Sequence, residues 1–153
     1  MRASSFKSAF TASLVLASMT ASTQSPTGIV TLSELRNIAR PLLIFAPNPT
    51  DSQLQIQLRR LHENVPALAD RNIVVIAIPY DSPSPTAAQL TATAAQSARR
   101  RFNIAPADFT VILIGKDGGE KLRSTKPLTL DKLFDIIDAM PMRQQEMRPP
   151  SRP

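Results

Sequence analysis

An α/β fold, with a mixed four-stranded sheet and helices on both faces, follows from three observations. Leu42–Ala46 and Ile73–Ile78 are short and apolar from end to end, as strands covered on both sides are. Between them lies a segment whose apolar residues recur every three or four positions, the period of an amphipathic helix. A third apolar run, Phe109–Ile114, passes through Lys116-Asp-Gly-Gly119 into the polar run Glu120–Ser124. Glycine takes positive φ without a Cβ clash, and Asp-Gly favours a tight hairpin.

In chain order, Thr23–Gly28 reads as a polar linker. Thr31–Ala39 is expected to be a helix on the spacing of Leu32, Leu35 and Ile38, with Thr31 or Ser33 as cap and Glu34 in its first turn. Pro41 breaks that pattern and Leu42–Ala46 is the first core strand. After the turn Pro47–Asp51, Leu54, Leu58, Leu61 and Val65 form one helical stripe, which Pro66 ends or kinks. Ile73–Ile78 is the second strand, stopped by Pro79. The alanine-rich stretch Thr86–Phe102 predicts a helix with Leu90, Ala94, Ala98 and Phe102 on one face. The hairpin follows, with Glu120-Lys-Leu-Arg123 charged as an edge strand should be. Thr129 is the expected cap of a last helix buried through Leu130, Leu133, Phe134, Ile137 and Met140, with Pro141 as its stop. Residues 143–153 hold three prolines and no adequate apolar face, and are expected to be disordered.

A strand–helix–strand unit crosses over right-handedly and makes its strands parallel. Leu42–Ala46 and Ile73–Ile78 are therefore expected to be parallel neighbours, with Phe109–Ile114 antiparallel on the other side of Leu42–Ala46. That arrangement is a thioredoxin-like core.

The 153 residues suit one domain, set here at residues 29–142. Residues 1–22 have the form of a secretory signal peptide: Arg2 and Lys7 without an acid, an apolar stretch from Ala9 to Met19, then small residues, with cleavage between Ala17 and Thr23. A retained N-terminal anchor is the alternative, but the stretch is shorter than the roughly 20 residues a span needs. Periplasmic or extracellular location is the expectation. Losing Arg2 and Lys7 lowers the formal charge from +6 to +4. Aromatic content is 5% and the phenylalanines sit mostly in apolar runs, so a nucleic-acid partner is not expected.

Three segments carry a resemblance: Arg40-Pro-Leu-Leu-Ile-Phe-Ala-Pro47, Arg71-Asn-Ile-Val-Val-Ile76 and Phe109–Ser124 with its Lys-Asp-Gly-Gly turn. Together with the ending Asp135-Ile-Ile-Asp-Ala-Met-Pro-Met-Arg-Gln-Gln-Glu146, they make the chain resemble the family called domain of unknown function 4174, from about Leu32 to about Met147. The resemblance implies a thioredoxin-like, peroxiredoxin-related fold and export, since related domains occur in bacterial exported proteins and animal extracellular-matrix proteins. It implies no established reaction and transfers no catalytic residue. Where thioredoxins carry their redox cysteines this chain has Pro47–Ser52. Where they place a proline immediately before the third core strand it has Asp108, with Pro106 upstream.

The chain has no cysteine, which excludes disulfides, thiolate metal sites and thiol catalysis. His62 is the only histidine, so neither a zinc site nor a serine triad is supported, and no cofactor or metal is expected. It reads as a half-exposed helix residue. Asp135 and Asp138, three apart on the last helix, suit a solvated face better than an acid–base pair. Arg99, Arg100 and Arg101 are candidates for an anionic polymer or surface, although consecutive helix positions diverge by about 100° and the helix dipole accounts for them equally well.

The preferred ligand site is the turn Pro47–Ser52, with Asn48, Thr50 and Ser52 supplying hydrogen bonds to a neutral or peptide-like partner at the carboxyl end of the first strand. Asp51, able to occupy the positive helix end, argues against an anion there. The expected function is a non-catalytic interaction module for an unidentified protein or peptide. The rivals are a non-thiol enzyme using Thr50, Asp51 or His62, and an electrostatic binder of anionic surfaces.

Overall fold

The computed structural model describes residues 26–149. The segment 1–22 expected to be a signal peptide and the last residues of the tail lie outside them.

The main sheet has the order β3-β2-β5-β6, where β2 is Arg40–Ala46, β3 Ile73–Pro79, β5 Thr110–Ile114 and β6 Glu120–Ser124. β2 and β3 are parallel, in register from Arg40↔Ile73 to Ala46↔Pro79. β5 lies antiparallel on the other side of β2, pairing Leu42 with Leu113 and Phe45 with Thr110, as the sequence predicts. β6 forms the far edge, joined by a turn in which Gly118 has φ +82°. A side chain there would be strained.

Helices cover both faces. α1 (Ser52–His62), α2 (Val65–Asp70) and α4 (Leu130–Asp138) pack over Leu42, Ile44, Ala77, Val111 and Leu113. α3 (Ala92–Phe102) packs over Leu43, Phe45, Ile76, Ile78 and Ile112. Asp51 caps α1 through the Leu54 amide at 3.0 Å, and Thr129 caps α4. Pro66 separates α1 from α2 by opening the second helix rather than by stopping the chain.

Four expectations are corrected. Thr31–Ala39 is a run of turns, not a helix. Thr31 and Glu34 make the reciprocal bonds of a capping box. The helix fails beyond them because Asn37 takes φ +65° and gives its N–H to the Lys116 carbonyl at 2.7 Å. The helix expected from Thr86 begins at Ala92, capped by Thr91. Upstream, β4 (Ala88–Gln89) pairs in parallel with β1 (Gly28–Ile29), which places Gly28 in a strand rather than a linker. Finally, the last apolar helix does end before Pro141, but the tail expected to be disordered from residue 143 begins in a helix: Pro141 opens α5 (Pro141–Glu146), in which Arg143 is buried.

α5 is held by ions rather than by an apolar face, which is why its sequence resembles a tail. Arg143 donates to Asp138 Oδ1 at 3.2 Å, to the Asp70 carbonyl at 2.8 Å and to the Asp70 carboxylate. Arg71 grips Asp138 through two bonds, of 3.0 and 2.6 Å, while stacking 4.2 Å from the Phe134 ring. Glu146 accepts both ends of the Arg40 guanidinium at 3.1 and 3.2 Å and the Lys116 ammonium at 2.7 Å. Arg40 is 1% exposed, so Glu146 is the counter-charge of a buried cation.

These pairs set an acid limit on stability. Burial pushes the Asp138 and Glu146 carboxyls up, but hydrogen bonds from Arg71 and Arg143, and from Arg40 and Lys116, outweigh it and hold both below their ordinary values. A carboxylate with a depressed folded-state pKa contributes stability above its unfolded value and loses it as pH falls through the folded one. The urea midpoint is therefore expected to drop steeply on acidification below the ordinary carboxylate range. Asp138→Asn with Glu146→Gln should flatten that drop; an unchanged slope would place the acid sensitivity elsewhere.

Candidate functional site

The turn Pro47–Ser52 sits at the carboxyl end of β2, as expected, but its polar groups serve one another. Asn48 Oδ1 accepts the Thr50 N–H at 3.0 Å and the Thr50 hydroxyl at 2.8 Å. The Pro49 carbonyl accepts from Gln55, and Asp51 is occupied as the helix cap. Ser52 is exposed on the first residue of α1. Most of the turn's polar groups are paired within it, and none of its residues lines the three cavities of the β3 edge and Arg99.

The three arginines are not brought together. Arg99 is 7% exposed and turns inward. It donates to the carbonyls of Ala46 (2.7 Å), Ile78 (2.8 Å) and Ala105 (3.1 Å). It thereby ties the ends of β2 and β3 to the segment after α3. Burial lowers its pKa, the Tyr80, Asp108 and Asp81 charges opposing that shift. Arg100 and Arg101 stay exposed, bonding Ser97 and the Gly118 carbonyl. Clefts of about 440 and 600 Å³ flank Arg99 and share Tyr80, Gln96 and Arg99 itself. Asp138 is not solvated as expected but joins the ion-pair cluster, whereas Asp135 is exposed.

A third cavity was not foreseen. It is a groove of about 510 Å³ along the outer edge of β3, walled by α1 and α2 on one side and by Pro85–Ala88 on the other. Its floor is apolar, formed by Leu58, Leu61, Leu68, Val74 and Val75, with Arg59 and His62 on its rim and no acidic residue in its lining. The clue in the sequence is Ile73–Ile78 itself: a strand without a single charge that becomes a sheet edge. Among the described residues, no group of three or more His, Cys, Asp or Glu side chains is placed to hold a metal ion. Nor is any helix there long and apolar enough to cross a membrane.

A parallel β2–β3 pair extended by an antiparallel β5–β6 hairpin, with helices on both faces and no thiol, defines a thioredoxin-like domain without redox cysteines. Solved structures agree on the fold. The chain is similar to Plasmodium yoelii thioredoxin peroxidase I (16% identity, TM-score 0.58, covering 80% of this chain and 84% of that one). It is likewise similar to the reduced 2-Cys peroxiredoxin of Plasmodium vivax (15% identity, TM-score 0.56, covering 74% and 84%). Residues 31–146 match the family described as Domain of unknown function (DUF4174), and the chain belongs to that family. Among curated proteins it is similar to Coiled-coil domain-containing protein 80 of Danio rerio, 29% identical over 133 residues. It is also similar to human Sushi repeat-containing protein SRPX2, 26% identical over 112 residues. These alignments cover 76% and 71% of this chain but only 15% and 24% of those proteins.

Proposed function

We propose that this thioredoxin-like domain is an exported binding module that works without thiol chemistry. The observation that carries the reading is the groove beside β3, an apolar concavity at an uncharged sheet edge, in a fold whose usual redox position is here the thiol-free turn Pro47–Ser52. Disulfide exchange and peroxide reduction both require a thiolate, and the chain contains none. The electrostatic alternative is left with two of its three arginines exposed, because Arg99 is buried with its donors on carbonyls. Export is supported by the basic start at Arg2 and Lys7 and the apolar stretch that follows.

Fractionation with N-terminal sequencing tests export: a mature chain beginning between residues 18 and 24 is expected, and an intact Met1 in the cytosol contradicts it. Purified protein should neither reduce insulin disulfides nor consume peroxide at an enzyme-like rate. Turnover in either assay would remove the reading.

A further inference from the structure

We propose that the groove receives an extended, acidic peptide segment that adds to the sheet as a strand alongside β3. This rests on the binding-module reading and names the partner's chemistry. The two edges of the sheet are built differently. β6 carries Glu120, Lys121 and Arg123, the charges with which an edge discourages pairing. β3 carries none.

The backbone shows how much of that second edge is open. The Arg40 N–H bonds the Asn72 carbonyl, and the Tyr80 N–H bonds the Ala46 carbonyl. These two bonds bracket the parallel ladder, so the even-numbered amides of β3 face β2 and the odd-numbered ones face away. At the carboxyl end the outward side is closed: Pro79 has no N–H, and the Ala77 N–H is bonded to the Thr86 hydroxyl at 3.0 Å. Among the described residues, Val75 is left with an outward amide and carbonyl, no strand of the main sheet on that side, and its side chain in the groove. Strand addition uses such an edge: main-chain bonds supply affinity, and pockets for alternate side chains supply selectivity.

Charge decides the peptide's composition. The Arg59 side chain is exposed on the rim, has no bonded partner among the described residues, and is joined by His62, with no carboxylate in the lining to oppose them. Apolar side chains at alternate positions, facing Leu58, Leu61 and Leu68, with one glutamate or aspartate reaching Arg59, would match this surface.

The test uses the full chain and a mixture of short end-blocked peptides that alternate valine, isoleucine or leucine with serine and carry one central glutamate. Binding is read by calorimetry. N-methylation of alternate peptide amides should abolish binding, and this needs no protein variant. Arg59→Glu should weaken affinity about tenfold, and replacing the peptide glutamate with lysine should restore it. Val75→Pro removes an outward N–H at a position where an edge strand tolerates proline, and should weaken binding beyond Val75→Ala, which trims the same groove side chain but keeps the N–H. Equal binding of methylated and unmethylated peptides, or none at millimolar peptide, overturns strand addition. If binding fails here but a partner crosslinks elsewhere on the surface, the module reading stands and the groove assignment falls.

Discussion

Arg99→Leu is expected to destabilise the protein by about 3 kcal/mol, as the loss of several charge-assisted hydrogen bonds does. The guanidinium bonds the ends of two adjacent parallel strands and the loop after α3 at once. Its removal takes the guanidinium donor from the Ile78 carbonyl beside Phe45, whose ring centre lies 5.4 Å from the guanidinium carbon, and leaves the Ala46 carbonyl with only its bond from the Tyr80 N–H. Arg99→Lys should recover little, because a single ammonium cannot reproduce a planar fork spanning three acceptors. Arg100→Ala and Arg101→Ala, on the exposed side of the same turn, should change stability by less than about 0.5 kcal/mol. Chemical unfolding of the four variants separates the cases, and equal effects at all three positions would contradict the assigned role of Arg99.

The second large effect concerns Arg40. Glu146→Ala leaves a buried guanidinium without its bidentate partner and should cost about 3 kcal/mol, the scale of a broken buried ion pair. The cost falls on a residue that the sequence alone assigns to a disordered tail. Arg40→Met with Glu146→Leu removes both charges and keeps most of the volume, so it should be more stable than Glu146→Ala alone. A double variant no better than the single would mean that Glu146 acts through Lys116 rather than through Arg40.

These residues show where the sequence was legible. The strands were, because Leu42–Ala46, Ile73–Ile78 and Phe109–Ile114 are apolar on both faces and the α1 crossover fixes β2 and β3 as parallel. The caps Asp51 and Thr129 were, because capping is local chemistry. What escaped depends on distant partners. Asn37 leaves its helical pattern for the Lys116 carbonyl. The Thr86 hydroxyl accepts the Ala77 N–H of β3 and donates to the Ala88 carbonyl instead of starting a helix. Arg143 is buried only because Asp70 and Asp138 are brought beneath it. Among the candidate site residues, Asn48, Thr50 and Ser52 lie at the carboxyl end of β2, as the chain order implies, but the Asn48–Thr50 bonds between them are invisible to spacing. The groove was missed because it belongs to no one segment: it forms where α1, α2, β3 and Pro85–Ala88 meet.

The most direct test is residue-resolved amide hydrogen exchange of the full chain, with and without the unmethylated peptide mixture. The Ala77 amide, already bonded to Thr86, should be protected in both states and serves as the internal reference. The Val75 amide should exchange readily in the free protein and become protected by tenfold or more when peptide is bound. A Val75 rate that peptide leaves unchanged at saturation would contradict strand addition at β3.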